Sequence, residues 1–241
     1  MKTATLVVVC VCLLAGFVHS QDSSGRPAGV PSAVEILHNM ADQYSAAESY
    51  QDSGFVQITA NTPSAAKPKI LNSFNSFFAR PGNYRFQWKT DDEPNSRWNV
   101  IWTTGNFFAT LDPNGIPELE MNRGTTIARA SAVTRGASQT VAALLSGTVR
   151  GFRLSEMQDA TLLREEDFEG EKCFVVRGRH PLGFPIDVWI SKNDFLIRKI
   201  RQTNGDGSYQ EEIRRDIKLN EPIAPEIFQY KSKKTAPKNI T

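Results

Sequence analysis

Few residues in this chain have the types and spacing that catalysis needs. Past residue 20 the histidines are His38, in a helical pattern, and His180, in the loop "RGRHPLG". No H-E-x-x-H, Cys-x-x-Cys, G-x-S-x-G or P-loop occurs, so a His-based catalytic site has no support from spacing. The acids of "REEDFEGE" (165–171) read first as a solvated turn and only second as a metal site. "NGDG" (204–207) lacks the spaced ligands and closing Glu of a calcium loop. Cys173, in the strand pattern "EKCFVVRG", reads as a small buried hydrophobe rather than a reactive thiol. The chemistry that remains is that of binding. "GNYRFQWK" (82–89) puts Tyr84, Phe86 and Trp88 on one face of a strand and Arg85, Gln87 and Lys89 on the other. Residues 121–155 hold Arg123, Arg129, Arg135, Arg150 and Arg153 and no acid. An aromatic face suits apolar chains, and arginine suits phosphate or carboxylate.

These residues are positioned by elements of two periods. In "PSAVEILHNMADQYSAAESY" (31–50), Ser32 and Glu35 have the capping-box spacing, and Leu37, Met40, Tyr44 and Ala47 recur at helical intervals. The pattern predicts one amphipathic helix. Strands follow near 53–60, 70–79, 83–89, 97–103 and 106–111, separated by turns such as "RPGN" and "DPNG". Residues 121–155, rich in Ala, Ser and Thr, predict two short helices broken at Gly136. From about 160, "CFVVRGRH", "FPIDVWIS", "FLIRKIRQ" and "SYQEEIRRDIKLN" predict about four more strands, with hairpin loops "SKND" and "NGDG". In the last of these Gln210, Glu212, Arg214, Asp216 and Lys218 form an unbroken polar set, expected to face water. Successive hairpins make an antiparallel sheet, and one this long must curl or close. The expected class is α+β: a curved antiparallel sheet forming an unclosed half-barrel, with an N-terminal helix and a two-helix lid.

The chain begins with Lys2 and an apolar run over 4–18, followed by small residues at Val18 and Ser20, the pattern of a secretory signal peptide cut after about Ser20. Residues 21–31 read as a disordered lead, and 32–241 as one domain. Cleavage removes Cys10 and Cys12, leaving no partner for Cys173. It also removes one of the 28 basic residues, against 26 acidic ones. That balance argues against nucleic-acid binding.

Three stretches resemble the LolA/LolB family of periplasmic lipoprotein carriers, together with LppX-type and RseB-type proteins and outer-membrane lipoprotein-sorting proteins. "FFARPGNYRFQW" resembles the family's strand, Arg-Pro turn and aromatic strand. "TTGNFFATLDP" resembles its Asp-Gly-x-x-Leu-Trp-x-Tyr strand, with Thr104 in place of the acidic turn residue. "IFQYKSKKTAP" resembles the closing Phe-x-Phe-x-Pro-Pro segment without its double proline. The resemblance implies an apolar cavity that takes acyl chains under a lid at about 121–150. It aligns Arg80 with the arginine that holds the lid shut. The ligand-binding residues expected on this basis are Phe74, Phe78, Tyr84, Phe86, Trp88, Trp98, Trp102 and Phe107. Arg80, Arg129, Arg135, Leu144 and Leu145 are expected at the lid and gate, with an anionic head group near Arg129 or Arg135.

The resulting expectation is a non-enzymatic, monomeric binding protein in the periplasm, or alternatively secreted. It holds a lipid or lipidated protein, uses no cofactor or metal, and works with an inner- or outer-membrane protein partner. An envelope sensor or interaction module on the same fold is the rival reading. A lipid hydrolase is a third, and it would need a polar triad converging in the pocket.

Overall fold

The computed structural model describes residues 29–61, 67–91, 98–104, 107–111, 117–119, 122–147, 149, 153–180 and 183–229; for Trp102, Arg123, 107–111 and 117–119 it describes the backbone only. The signal-peptide and leader expectations lie almost wholly outside these residues, as does most of the last resemblance stretch.

Helix α1 (Ala33–Ala46) is capped as its sequence predicts. The Glu35 backbone N–H donates to Ser32 Oγ at 3.1 Å, and the Ser32 N–H donates back to Glu35 Oε2 at 2.5 Å. Its apolar stripe, Ile36, Leu37, Met40 and Tyr44, is buried. Six strands follow: β1 (Ser49–Thr59), β2 (Lys69–Ala79), β3 (Asn83–Thr90), β4 (Asn99–Thr104), β5 (Phe107–Leu111) and β6 (Pro117–Leu119). Helices α2 (Arg123–Val133) and α3 (Ala137–Leu145) interrupt the sheet. A short 3-10 turn over Leu154–Glu156 then leads into β7 (Gln158–Phe168), β8 (Glu171–Arg179), β9 (Pro185–Ser191), β10 (Ile197–Thr203) and β11 (Tyr209–Leu219).

The eleven described strands form one antiparallel sheet in the order β6-β5-β4-β3-β2-β1-β11-β10-β9-β8-β7. The first and last strands close against each other through β1 and β11, while β6 and β7 end the sheet unpaired with one another. The architecture is the expected α+β half-barrel, left open. Two strands exceed the sequence expectation: β6, only three residues long, and β7. The latter contains most of "REEDFEGE": Glu165, Glu166 and Asp167 are strand residues, Glu169 and Gly170 make the turn, and Glu171 opens β8. These acids form ion pairs: Glu165 with Lys192, Glu166 with Arg164, Asp167 with Lys172, and Glu169 with Arg215. Glu166 also accepts the Trp189 indole N–H at 3.0 Å, and Lys199 Nζ lies 3.7 Å from the centre of that ring. This cover keeps Trp189 buried on the outside of the sheet. Cys173 is buried beside it, and burial pushes its thiol up to about 11.

The polar set of β11 is the chief correction to the sequence reading. Glu212 and Arg214 face inward and are 5% and 1% exposed. Strand β11 slips against β1 between Arg215 and Lys218, and Asp216 has φ = +51°. A bulge there shifts the side-chain parity by one residue. Gln210, Glu212 and Arg214 are therefore inside on one side of the bulge, and Ile217 and Leu219 pack on the core on the other.

Gly54 is what allows the centre of the sheet to pack. It lies opposite Phe74 on β2 and Arg214 on β11. A Cβ at this position would stand 2.3 Å from the Ile213 carbonyl oxygen and 2.4 Å from Phe74 Cζ. Since one contact is backbone, Gly54→Ala is expected to destabilise the fold by about 1–3 kcal/mol, the range for overpacking. Urea unfolding would measure it.

Candidate functional site

The aromatic face of β1–β3 is built as predicted and then filled. Phe74, Phe78, Tyr84, Phe86 and Trp88 are all at most 5% exposed and belong to the main core cluster. Phe74 and Phe86 stack at 5.5 Å between ring centres, and Phe86 meets Trp88 at 6.0 Å. The Tyr84 hydroxyl donates to the Ser138 carbonyl of α3 at 2.7 Å, and Asn72 donates to the Val133 carbonyl at the end of α2. Between Phe78, Tyr84, Ile127 and Ala142 the remaining void is only about 10 Å³, too small to house a ligand. These rings are core under the helices. Trp98 is 38% exposed, with the Lys89 ammonium 5.7 Å from its ring centre, and lines no described cavity. The side chains of Trp102 and Phe107 lie outside the described residues.

Among the described residues, open volume is found on the other half of the concave face. A cleft of about 740 Å³ lies over β9, β10 and β11. Its floor is Ile186, Ile200 and Gln202, with Gln210 and Glu212 on the β11 side. Leu154 and Glu156 close one side, and His180 and Phe184, stacked at 4.2 Å, close another. Desolvation lowers the His180 pKa below its ordinary value, favouring the neutral ring. The remaining wall is the α2–α3 corner, where Arg135 (φ = +50°) and Gly136 (φ = +99°) are successive left-handed residues. This corner is the helix break expected at Gly136. It is tied to the sheet by Gln210 Nε2, which donates to the Arg135 carbonyl at 2.9 Å.

Beneath the cleft lies a buried charge network. Arg214 donates through Nε to Glu212 at 2.6 Å, through Nη1 to Asp52, and through Nη2 to the Ala137 carbonyl of α3 at 2.8 Å. Asp52 also accepts from the Tyr50 hydroxyl at 2.6 Å and the Ser76 N–H at 3.2 Å. Glu212 accepts from Thr140 Oγ1 of α3 at 2.8 Å. Burial disfavours the Arg214 cation, but Asp52 and Glu212 outweigh it and hold its pKa above the ordinary value. Burial pushes Tyr44, Tyr50 and Tyr84 upward, so all three stay protonated at neutral pH.

The expected gate residues separate. Arg135 lines the cleft, and its guanidinium has no ion pair among the described residues, whereas Arg129 is exposed and does not line the cleft. Leu144 and Leu145 are buried in the core and border a second hollow of about 230 Å³ that also touches Arg80 and Arg153. Arg80, followed by a cis peptide to Pro81, donates to the Ala47 carbonyl at 2.9 Å and to that of Ser45. Its described hydrogen bonds thus hold the C-terminal end of α1, not the backbone of 121–150, because a cation there satisfies orphan helix carbonyls. Arg80→Leu is expected to cost about 1–2 kcal/mol through the loss of these charged hydrogen bonds. Hydrogen exchange should quicken at residues 47–50 and stay unchanged across 121–150; the opposite pattern would return Arg80 to the gate.

Sequence reasoning missed Asp52, Glu212 and Arg214. The only signal was a charged residue at strand alternation next to apolar neighbours, which also describes an exposed face. Among the described residues no group of three or more His, Cys, Asp or Glu is arranged to hold a metal ion. No described helix is long and apolar enough to cross a membrane.

An open antiparallel half-barrel whose concave face carries three helices and a cleft is the architecture of this chain. In fold it resembles LppX, LolA-superfamily and MucB proteins. The Mycobacterium tuberculosis lipoprotein LppX aligns with a TM-score of 0.47 at 13% identity, over 80% of this chain and 97% of that one. MucB, in the Pseudomonas aeruginosa MucA/MucB complex, aligns with a TM-score of 0.47 at 13% identity, over 82% of this chain and 60% of that one. A LolA-superfamily protein from Nitrosomonas europaea aligns with a TM-score of 0.36 at 13% identity, over 83% of this chain and 98% of that one. No family model matches the sequence, and no curated protein matches it.

Proposed function

We propose that the chain is an exported, non-enzymatic binding protein that holds the acyl chain of a lipid or lipidated protein in the cleft over β9–β11, for carriage across the periplasm. The observation that carries this reading is the cleft itself: about 740 Å³, within the range of small-molecule sites, with apolar Leu154, Phe184, Ile186 and Ile200 and a rim of polar groups. Burying ten methylenes there is worth roughly 8 kcal/mol, which is the scale of micromolar binding.

Titration with a monomeric fluorescent fatty acid tests this. Wild-type protein should bind in the micromolar range, and Ile200→Trp, which fills the floor, should weaken binding at least tenfold, about 1.4 kcal/mol. Absence of binding by any amphiphile at tens of micromolar would favour a protein-interaction module instead.

A further inference from the structure

The charges around the cleft do not balance. Asp52, Glu212 and Arg214 have side chains that are 0%, 6% and 0% exposed. Two carboxylates therefore share one guanidinium, and no second cation is ion-paired with them among the described residues. Lys199, on the same half of the sheet, is on the outer face with Trp189 and Glu211. Of the three groups only Glu212 borders the cleft. Both Arg214 contacts to it fall on Oε1, while Oε2 accepts the Thr140 hydroxyl alone. A carboxylate oxygen has two acceptor sites, so Oε2 keeps one. A buried surplus of negative charge with a free acceptor at a cavity wall is stabilised best by a cationic donor, since low polarity strengthens the pairing. Glu156, across the cleft, adds to the same sign, and His180 is held toward its neutral form. At the α2–α3 corner the sign reverses. The Arg135 guanidinium is exposed there, and its backbone is tied to Gln210, two residues from Glu212 on the same face of β11.

We infer that the cleft takes a zwitterionic amphiphile bearing a primary amine, with its ammonium donating to Glu212 Oε2, its phosphate or carboxylate at Arg135, and its acyl chain over Ile186 and Ile200. This inference rests on the reading of the cleft as a lipid site. It adds a charge requirement that an arginine rim does not impose: a purely anionic lipid satisfies Arg135 but leaves the Glu212 surplus uncompensated and brings like charge toward it.

The test is calorimetric titration with lysophosphatidylethanolamine and lysophosphatidylglycerol of the same chain length, both below their critical micelle concentrations. Wild-type protein should bind the ethanolamine lipid at least tenfold more tightly. Glu212→Gln, which keeps the side-chain shape and removes the surplus charge, should bring the two affinities within about threefold without losing the glycerol lipid. Arg135→Gln should weaken both lipids by a similar factor, because both carry a phosphate. Equal affinities in the wild type, or a preference for the glycerol lipid, would overturn the amine assignment and leave the lipid cleft standing. Binding of neither would overturn both. The wild-type comparison decides the matter even if Glu212→Gln fails to fold.

Discussion

Arg214→Met will cost about 3–5 kcal/mol of stability, the range for breaking a buried ion pair by removing one partner. The reason is positional. Arg214 lies at the centre of the concave face, where it satisfies Glu212 and Asp52, donates to the Ala137 carbonyl at the start of α3, and covers the Phe74 ring at 5.0 Å. Methionine fills much of the same volume but leaves two carboxylates buried without a cation. The cost should therefore be strongly non-additive. Adding Asp52→Asn and Glu212→Gln to Arg214→Met removes both stranded charges and should recover more than half the loss. Urea unfolding of the single and triple variants checks this. A single-variant loss below about 1 kcal/mol would mean that Arg214 is not the buried hub described here. The same substitution should loosen α3, since Arg214 and Glu212 hold the helix through Ala137 and Thr140.

Phe86→Ala should be comparably severe, at about 3–5 kcal/mol for truncation of a buried aromatic side chain. Phe86 is 0% exposed, stacks on Phe74 and tilts against Trp88, so its loss opens a cavity bounded by rigid neighbours. It lines no part of the cleft. Provided the experiment is run where the variant remains folded, affinity for a fatty acid should change by less than about twofold, against the tenfold expected of Ile200→Trp. A large loss of affinity in Phe86→Ala with little loss of stability would show that the aromatic face is the binding surface after all.

The contrast between these two residues shows how far the sequence can be read. The alternation in "GNYRFQWK" gave β3 and its inner rings correctly, and the capping box placed the start of α1 at Ser32. Gly136 marked the break between α2 and α3. None of these patterns reveals how much helix covers a given strand. The small residues Ala130, Ala137, Ala142 and Ala143 let α2 and α3 settle close onto the rings. Among the described residues the larger cleft lies instead over β9–β11, where the inner face carries Ile200 with Gln202 and Gln210 with Glu212 and has no aromatic signature. Strand β11 was misread for a different reason. A strict period of two holds only while the register does, and one extra residue near Asp216 exchanges the faces. Strand β7, at an open edge, is mostly exposed, with a run of charges over Arg164–Asp167, so it carries little hydrophobic periodicity at all. Arg80 shows the limit of alignment by a short motif: the Arg-Pro pair is where the resemblance puts it, but its partners are the carbonyls ending α1.

The central claim is the location of the acyl chain. Irradiating the wild-type protein with a fatty acid that carries a photoreactive group near its methyl end, and mapping the adducts by peptide mass spectrometry, tests it directly. The account predicts adducts on Leu154, Phe184, Ile186 and Ile200, suppressed by excess unlabelled fatty acid and by Ile200→Trp. Saturable labelling confined to Phe74, Tyr84, Phe86 and Trp88, or no saturable labelling at all, would contradict it.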